Sequence, residues 1–241
     1  MALSREFDRV QPHMELWVAV RTAFIDDRVR ALTGEGGASQ VVILGAGLDA
    51  RAARLAAPGL RFYEVDRPAS QADRHRRLSA LVGYPPDAAT AVACDFEHQD
   101  FVDQLLAAGF DGARPALLIW EGVSYYLSEP VVRSTLSRVA RRCDPRSTLV
   151  FDLVGARMAR GAVRHGNDRE TRDVVAGLGE PILWGTDDVL PVLYEEGFHR
   201  VRVTTFDEAA LLLTGTYERE RRWRFQYITE ASVAPTGLNA P

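Results

Sequence analysis

The sequence predicts an α/β protein built on one doubly wound, mostly parallel sheet of seven strands. Three observations carry that expectation. Short, β-branched runs alternate with helical stretches; five of these runs are apolar enough to be buried on both faces; and the first ends in a Gly-x-Gly turn.

Residues 14 to 32, MELWVAVRTAFIDDRVRAL, set Leu16, Val20 and Phe24 at helical spacing, and Gly34, Gly36 and Gly37 end the run. The buried parallel strands are QVVIL at 40 to 44, RFYEV at 61 to 65, TAVAC at 90 to 94, ALLIW at 116 to 120 and STLVFD at 147 to 152. Helices are expected between them over 69 to 81, 98 to 107 and 130 to 142. Residues 155 to 185 are rich in Gly and Arg and weak in periodicity. They read as an insertion over the carboxyl ends of the strands, where open α/β sheets bind ligands. Beyond them a helix capped by Thr186 should run to 196, HRVRVTT should form a strand, 207 to 217 a helix, and RFQYIT a closing strand.

Composition removes several chemistries. All 29 basic residues are arginine, which excludes a phosphate-binding loop lysine, a Schiff base and a lysine general base. Two cysteines and five scattered histidines make neither a disulfide framework nor a metal site. A net charge of −4 without a basic stripe argues against nucleic acid and for a small-molecule partner. No signal peptide or apolar span is visible, so the expectation is a soluble, cytoplasmic protein with no membrane partner. Nothing in the sequence reports on oligomeric state.

The strongest local signal is Val41 to Arg51, VVILGAGLDAR. A strand running into Gly45-Ala46-Gly47 turns sharply and lets a ligand approach the backbone. The second strand ends in Glu64-Val65-Asp66, and Asp66 follows Gly45 by 21 residues, the separation at which an acid receives ribose hydroxyls. An adenosine-bearing ligand is implied. Gly45, Gly47 and Ala50 also satisfy the dinucleotide pattern, so an NAD-type oxidoreductase is the competing reading. Asp49 weighs against it, because a carboxylate stands where a pyrophosphate would sit. S-adenosylmethionine has no phosphate and carries a sulfonium and an ammonium, which acids near the turn suit.

Taken together, LGAGLDAR, then EVDRP at 64 to 68, ACDF at 93 to 96 and WEGVSYYL at 120 to 127 resemble the leucine carboxyl methyltransferase-like S-adenosylmethionine enzymes. That family includes bacterial polyketide-associated O-methyltransferases. The resemblance implies the seven-stranded, Rossmann-like class I methyltransferase fold and S-adenosylmethionine as cofactor. It implies that Arg21 pairs with the methionine carboxylate of the cofactor, that Gly45, Ala46 and Gly47 line its methionine and ribose, and that Asp66 accepts the ribose hydroxyls. Asp49 and Arg67 join the cofactor-binding set. Asp95 would accept from the adenine amine while Phe96 packs on the ring. Glu121 would face the amino or sulfonium region, with Tyr125 and Tyr126 on the methyl-transfer side. Arg21 also has a plainer reading as a surface arginine beside Asp26 and Asp27, Asp95 as a helix cap, and one of the two tyrosines as a core residue, since neighbours on an extended segment face opposite ways.

Methyl transfer from a sulfonium is an in-line displacement, so the protein must align the acceptor and exclude water. A carboxylate acceptor is ionised at neutral pH and needs no base; a phenol would benefit from one. His165 is the candidate base. Arg157 and Arg160, in a segment that also carries Arg164, Arg169 and Arg172, suit an acidic acceptor, against the plainer reading of a charged surface. The expected activity is O-methylation of a small acidic or polyketide-like metabolite, with carboxyl ahead of phenol methylation. A nucleotide-binding module without catalysis is the reading from another class. The expected organisation is one methyltransferase domain: a helical cap over 1–39, a cofactor-binding core over 40–154, a lid over 155–185, a C-terminal part over 186–233 and a disordered tail over 234–241.

Overall fold

The computed structural model describes residues 14–34, 36–85, 87–162, 172–173, 175–177, 179–215 and 225–233. Seven strands, β1 (Gln40–Leu44), β2 (Arg61–Asp66), β3 (Thr90–Ala93), β4 (Ala116–Trp120), β5 (Thr148–Val154), β6 (Arg200–Thr205) and β7 (Gln226–Ser232), form one sheet in the order β3-β2-β1-β4-β5-β7-β6. The first five run parallel. The last two pair antiparallel, β7 lying between β5 and β6.

The helices are α1 (Met14–Leu32), α2 (Arg51–Arg54), α3 (Pro68–Ser79), α4 (Phe101–Ala107), α5 (Glu129–Arg142), α6 (Ala156–Arg160), α7 (Leu190–Glu195) and α8 (Phe206–Thr214). They cover both faces of the sheet, which is why β1 and β4 are buried at every residue and read as unbroken apolar runs. On one face Val42, Leu44, Val65, Leu118, Trp120 and Phe151 pack with Leu105 of α4 and Leu136 of α5. On the other, Val41, Ile43, Leu117, Ile119 and Val150 pack with Ile25 of α1 and Ala209 of α8. The indole of Trp17 meets the ring of Phe206 edge-on at 5.6 Å between centroids, joining α1 to α8.

Strand order reverses between β1 and β4. The chain winds outward from β1 to β3, then restarts at β4 on the opposite side. Open α/β sheets form their ligand crevice outside the carboxyl ends of the strands at such a switch point, here β1 and β4, and the Gly-x-Gly turn and Glu121 directly follow those ends.

Local chemistry moved several boundaries. The helix expected from Thr186 begins at Leu190 instead. Thr186 is occupied in a turn of its own, donating to the Asp188 carbonyl at 2.7 Å and accepting from the Asp188 N–H at 3.1 Å. Pro191 also belongs in a first helical turn, where its missing N–H costs nothing. The helix expected from 98 starts at Phe101, because Asp100 caps it by accepting from the Val102 N–H at 2.9 Å. Helix α8 stops at Thr214, short of 217, where Gly215 turns left-handed with φ +71°. Strand β5 continues two residues past Asp152, since β7 pairs with it along its whole length.

Candidate functional site

The turn after β1 is held against its neighbours by backbone. The Gly45 and Ala46 N–H groups both donate to the Val65 carbonyl of β2, at 2.8 and 3.2 Å. Gly45 has φ +70° and Gly47 φ +47°. A Cβ on Gly45 would lie 2.5 Å from Val123 Cγ2, so glycine is needed for the turn after β1 to approach the turn after β4.

Beside this turn four elements deliver an ion cluster. Arg21 of α1 reaches into the crevice, its Nε donating to Glu121 Oε1 and its NH1 to Asp152 Oδ2, both at 2.6 Å. Asp152, on β5 and fully buried, also accepts the Gly122 N–H at 2.7 Å. Glu121 is shared: its second oxygen lies 2.5 Å from Arg51 NH1. Arg51 in turn pairs with Asp49 and with Asp26, at 2.8 Å to the latter, and Arg54 reaches Asp26 as well. Three guanidiniums therefore face four carboxylates, a formal charge of −1.

Burial works against the charge of Arg21, but the carboxylates of Asp152 and Glu121 outweigh it and its pKa rises. Burial likewise pushes Asp152 up, opposed by the pull of Arg21 and the Gly122 N–H. Tyr125 is pushed well above the usual phenol range by burial and then by Asp152, so it stays protonated.

At the other end of the crevice Asp66 closes β2. Its Oδ2 accepts the Gly47 N–H and its Oδ1 the Arg67 N–H, each at 2.7 Å. Two of roughly four lone-pair directions on a carboxylate are thus used, leaving two for hydroxyl donors. Arg67 precedes Pro68 at the start of α3, its side chain 54% exposed and 4.0 Å from Glu97. Asp95 sits in the turn after β3, accepting from the Glu97 N–H at 3.0 Å, with His98 Nδ1 at 3.3 Å. Its bonds make it a turn former; the helix cap is Asp100. The ring of Phe96 is buried against Phe101, 5.8 Å between centroids.

Tyr125 and Tyr126 lie on a single 3-10 turn, Ser124–Tyr126, instead of an extended segment. Their rings touch edge to face at 4.5 Å. Tyr125 is buried with Val154, Met158 and Ile182, and Tyr126 is half-buried against that group. The Tyr125 carbonyl accepts from the N–H groups of Leu183 and Trp184 at 2.8 and 3.2 Å, so the end of the 155–185 segment is bonded to this turn. Arg157 and Arg160 are exposed on α6. His165, with Arg164 and Arg169, lies outside the described residues.

The structure brings Arg21, Gly45, Asp49 and Glu121 together, and does so through residues that motif reading passed over. Asp152 and Arg51 are the main ones. Asp152 had a signal of its own kind: a carboxylate within an otherwise apolar strand, STLVFDLV, which burial makes expensive unless a partner waits for it. The plainer reading of Arg21 beside Asp26 and Asp27 does not hold, since Asp26 binds Arg51 and Arg54 while Asp27 pairs with Arg28.

The family model for leucine carboxyl methyltransferase matches residues 3–140. A protein of Parafrankia sp. (strain EAN1pec), named by inference as an S-adenosyl-L-methionine-dependent methyltransferase, is 41% identical over 140 residues, covering 58% of this chain and 44% of its own. One from Streptomyces coelicolor (strain A3(2)), named in the same way, is 38% identical over 151 residues, covering 61% and 53%. The chain thus spans about half the length of the curated relatives it matches. Among solved structures, a DUF574 family protein from Streptomyces avermitilis superposes with a TM-score of 0.69 at 16% identity, over 95% of this chain and 88% of that one. A glycopeptide N-methyltransferase complexed with S-adenosyl-L-methionine superposes with a TM-score of 0.55 at 16% identity, over 88% and 94%. At such identities the likeness is one of fold, that of the class I methyltransferases.

Proposed function

The chain belongs to the leucine carboxyl methyltransferase family, and on that premise we propose that it is an S-adenosylmethionine-dependent O-methyltransferase acting on the carboxylate of a small acidic or polyketide-like metabolite. The observation that carries the cofactor is the charge of the crevice. Four carboxylates against three guanidiniums suit a ligand of net charge +1, which an ammonium, a sulfonium and one carboxylate add up to. Arg21 is the guanidinium able to take the ligand carboxylate, with Glu121 turned to the ammonium. Asp66 has acceptor capacity for ribose hydroxyls. A pyrophosphate fits poorly: α2 is four residues long, and Asp49 accepts the Arg51 N–H at its start.

When bound, S-adenosylmethionine supplies the electrophilic methyl group. The work left to the chain is alignment and exclusion of water, which this reading assigns to the Tyr125 turn and the segment hydrogen-bonded to it. Among the described residues at the crevice none stands ready as a base. Tyr125 holds its proton, Glu121 is bound by two arginines, and Asp152 by Arg21 and a backbone N–H. An acceptor already ionised at neutral pH needs no base, so these residues suit a carboxylate better than a phenol, the candidate base His165 lying outside the described residues. Arg157 and Arg160, exposed on α6, are the arginines this reading assigns to steering such an acid. The two thiols, Cys94 and Cys143, are free and buried, in keeping with a cytoplasmic setting.

Thermal stabilisation tests the cofactor directly. S-adenosylhomocysteine at a hundred times its Kd should stabilise the protein by about 2.7 kcal/mol. Stabilisation by NAD instead would overturn the assignment. The acceptor is tested on the product: a methyl ester releases methanol in alkali, and an aryl methyl ether does not.

A further inference from the structure

The glycine turn borders a hollow instead of packed core. A cavity of about 280 Å3 lies between β2, α3 and the segment leading to β3, and its lining includes Ala46 and Asp66 of the proposed cofactor end. Leu78, Pro85 and Ala89 supply apolar wall. Gly47 is open on the side a side chain would take, since a Cβ there would meet only the Gly45 carbonyl oxygen, at 4.0 Å. Where contacts are missing, position must come from directed bonds.

One buried side chain supplies them. Arg74 of α3 lines the same cavity, its side chain 9% exposed, and its NH1 donates to the Gly47 carbonyl at 3.0 Å. Its NH2 donates to Glu64 Oε1 at 2.5 Å and to the Tyr84 hydroxyl at 3.2 Å. Glu64 belongs to β2, two residues before Asp66, so the guanidinium ties the turn to the strand that carries the ribose acid. Gly47 is bracketed: Asp66 takes its N–H and Arg74 its carbonyl.

We propose that Arg74 is a positioning residue for cofactor binding, holding Gly47 at the edge of the cavity so that the turn and Asp66 present one fixed surface to the ribose. This rests on the reading of the crevice as an S-adenosylmethionine site. Arg74 does not take part in methyl transfer, so it should act on cofactor affinity alone. A guanidinium is suited to the task because its planar fork serves a carbonyl and a carboxylate at once, which an ammonium does less well.

The test separates this role from a structural one. Arg74→Met alone would strand Glu64, so the informative variant is Arg74→Met with Glu64→Gln, which leaves no buried unpaired charge. Titrating S-adenosylhomocysteine by calorimetry, the double variant should bind about tenfold to a hundredfold more weakly than wild type. Its KM for S-adenosylmethionine should rise with kcat at saturating cofactor within about twofold of wild type, as loss of uniform binding requires. Arg74→Lys should fall between the two, and it carries the same test if the double variant does not fold. Wild-type affinity in a folded double variant, or a fall in kcat without a change in KM, overturns the role of Arg74. A wild-type protein that does not bind S-adenosylhomocysteine overturns the cofactor assignment and this role together.

Discussion

At one end of the crevice Glu121 and Asp152 are held by guanidinium groups, with Arg21 bridging them at 2.6 Å to each; at the other, Asp66 is held by the N–H groups of Gly47 and Arg67, at 2.7 Å each. The first end is assembled from side chains on α1, α2, β5 and the turn after β4 and depends on charge balance. The second depends on where the backbone of one turn lies. A lost charge should therefore harm folding at the first end, while a lost hydrogen bond at the second should harm ligand binding more than stability.

The largest expected effect breaks the charged end. Arg21→Met leaves Asp152, fully buried, with only the Gly122 N–H among the described residues. Removing one partner of a buried pair costs about 3–5 kcal/mol, read as a lower denaturation midpoint in urea. Pairing Arg21→Met with Asp152→Asn should recover much of the loss; equal losses in the single and double variants would show that the cluster is not a charge-balanced unit.

Next comes a pH effect beneath the backbone end. Burial pushes Glu64 up to about 7 from its ordinary 4.5, with Arg74 pulling the other way. The native state thus holds this proton more tightly than the unfolded state does. Its contribution to stability is full below pH 4.5 and lost as pH rises through 7, on the order of 3 kcal/mol across that window. The stability difference between wild type and Glu64→Gln should shrink or reverse from pH 4.5 to pH 8. A flat difference would mean that Arg74 keeps Glu64 ionised throughout.

Gly45→Ala joins the two ends, because the new methyl meets Val123 at 2.5 Å and the backbone holds φ +70°. Overpacking of this kind costs about 1–3 kcal/mol. Val123→Ala in the same chain should relieve the steric part and leave the backbone strain, a split that a double-mutant cycle of unfolding free energies measures. The smallest effect on folding is Asp66→Asn, at about 1 kcal/mol, since the amide can still accept from one N–H. Its Kd for S-adenosylhomocysteine should nonetheless rise about tenfold or more. If stability fell as far as in Arg21→Met, the contrast between the two ends would be lost.

Much of the frame was legible from the chain. The parallel strands, the Gly-x-Gly turn and the acid closing β2 are local patterns, because a strand buried on both faces must be apolar and a sharp turn needs positive φ. The helix boundaries were less so, since capping by Asp100 and the turn taken by Thr186 depend on single hydrogen bonds. The segment of Tyr125 and Tyr126 reads as extended from sequence alone, whereas a 3-10 turn bends it; one of the two is a core residue as expected, and it is Tyr125.

By itself the sequence determined the sheet, its switch point and the residue types available there, including the absence of lysine that leaves every cationic side-chain role but histidine's to arginine. Only the tertiary structure decided the pairing. Arg21 meets a carboxylate 131 residues away, Arg51 is shared among Asp26, Asp49 and Glu121, and Arg74 reaches back 27 residues to the Gly47 carbonyl. An arginine in a helix carries no local mark of its partner. The choice is made when packing removes water and leaves each buried charge with whichever opposite group the sheet has brought within reach.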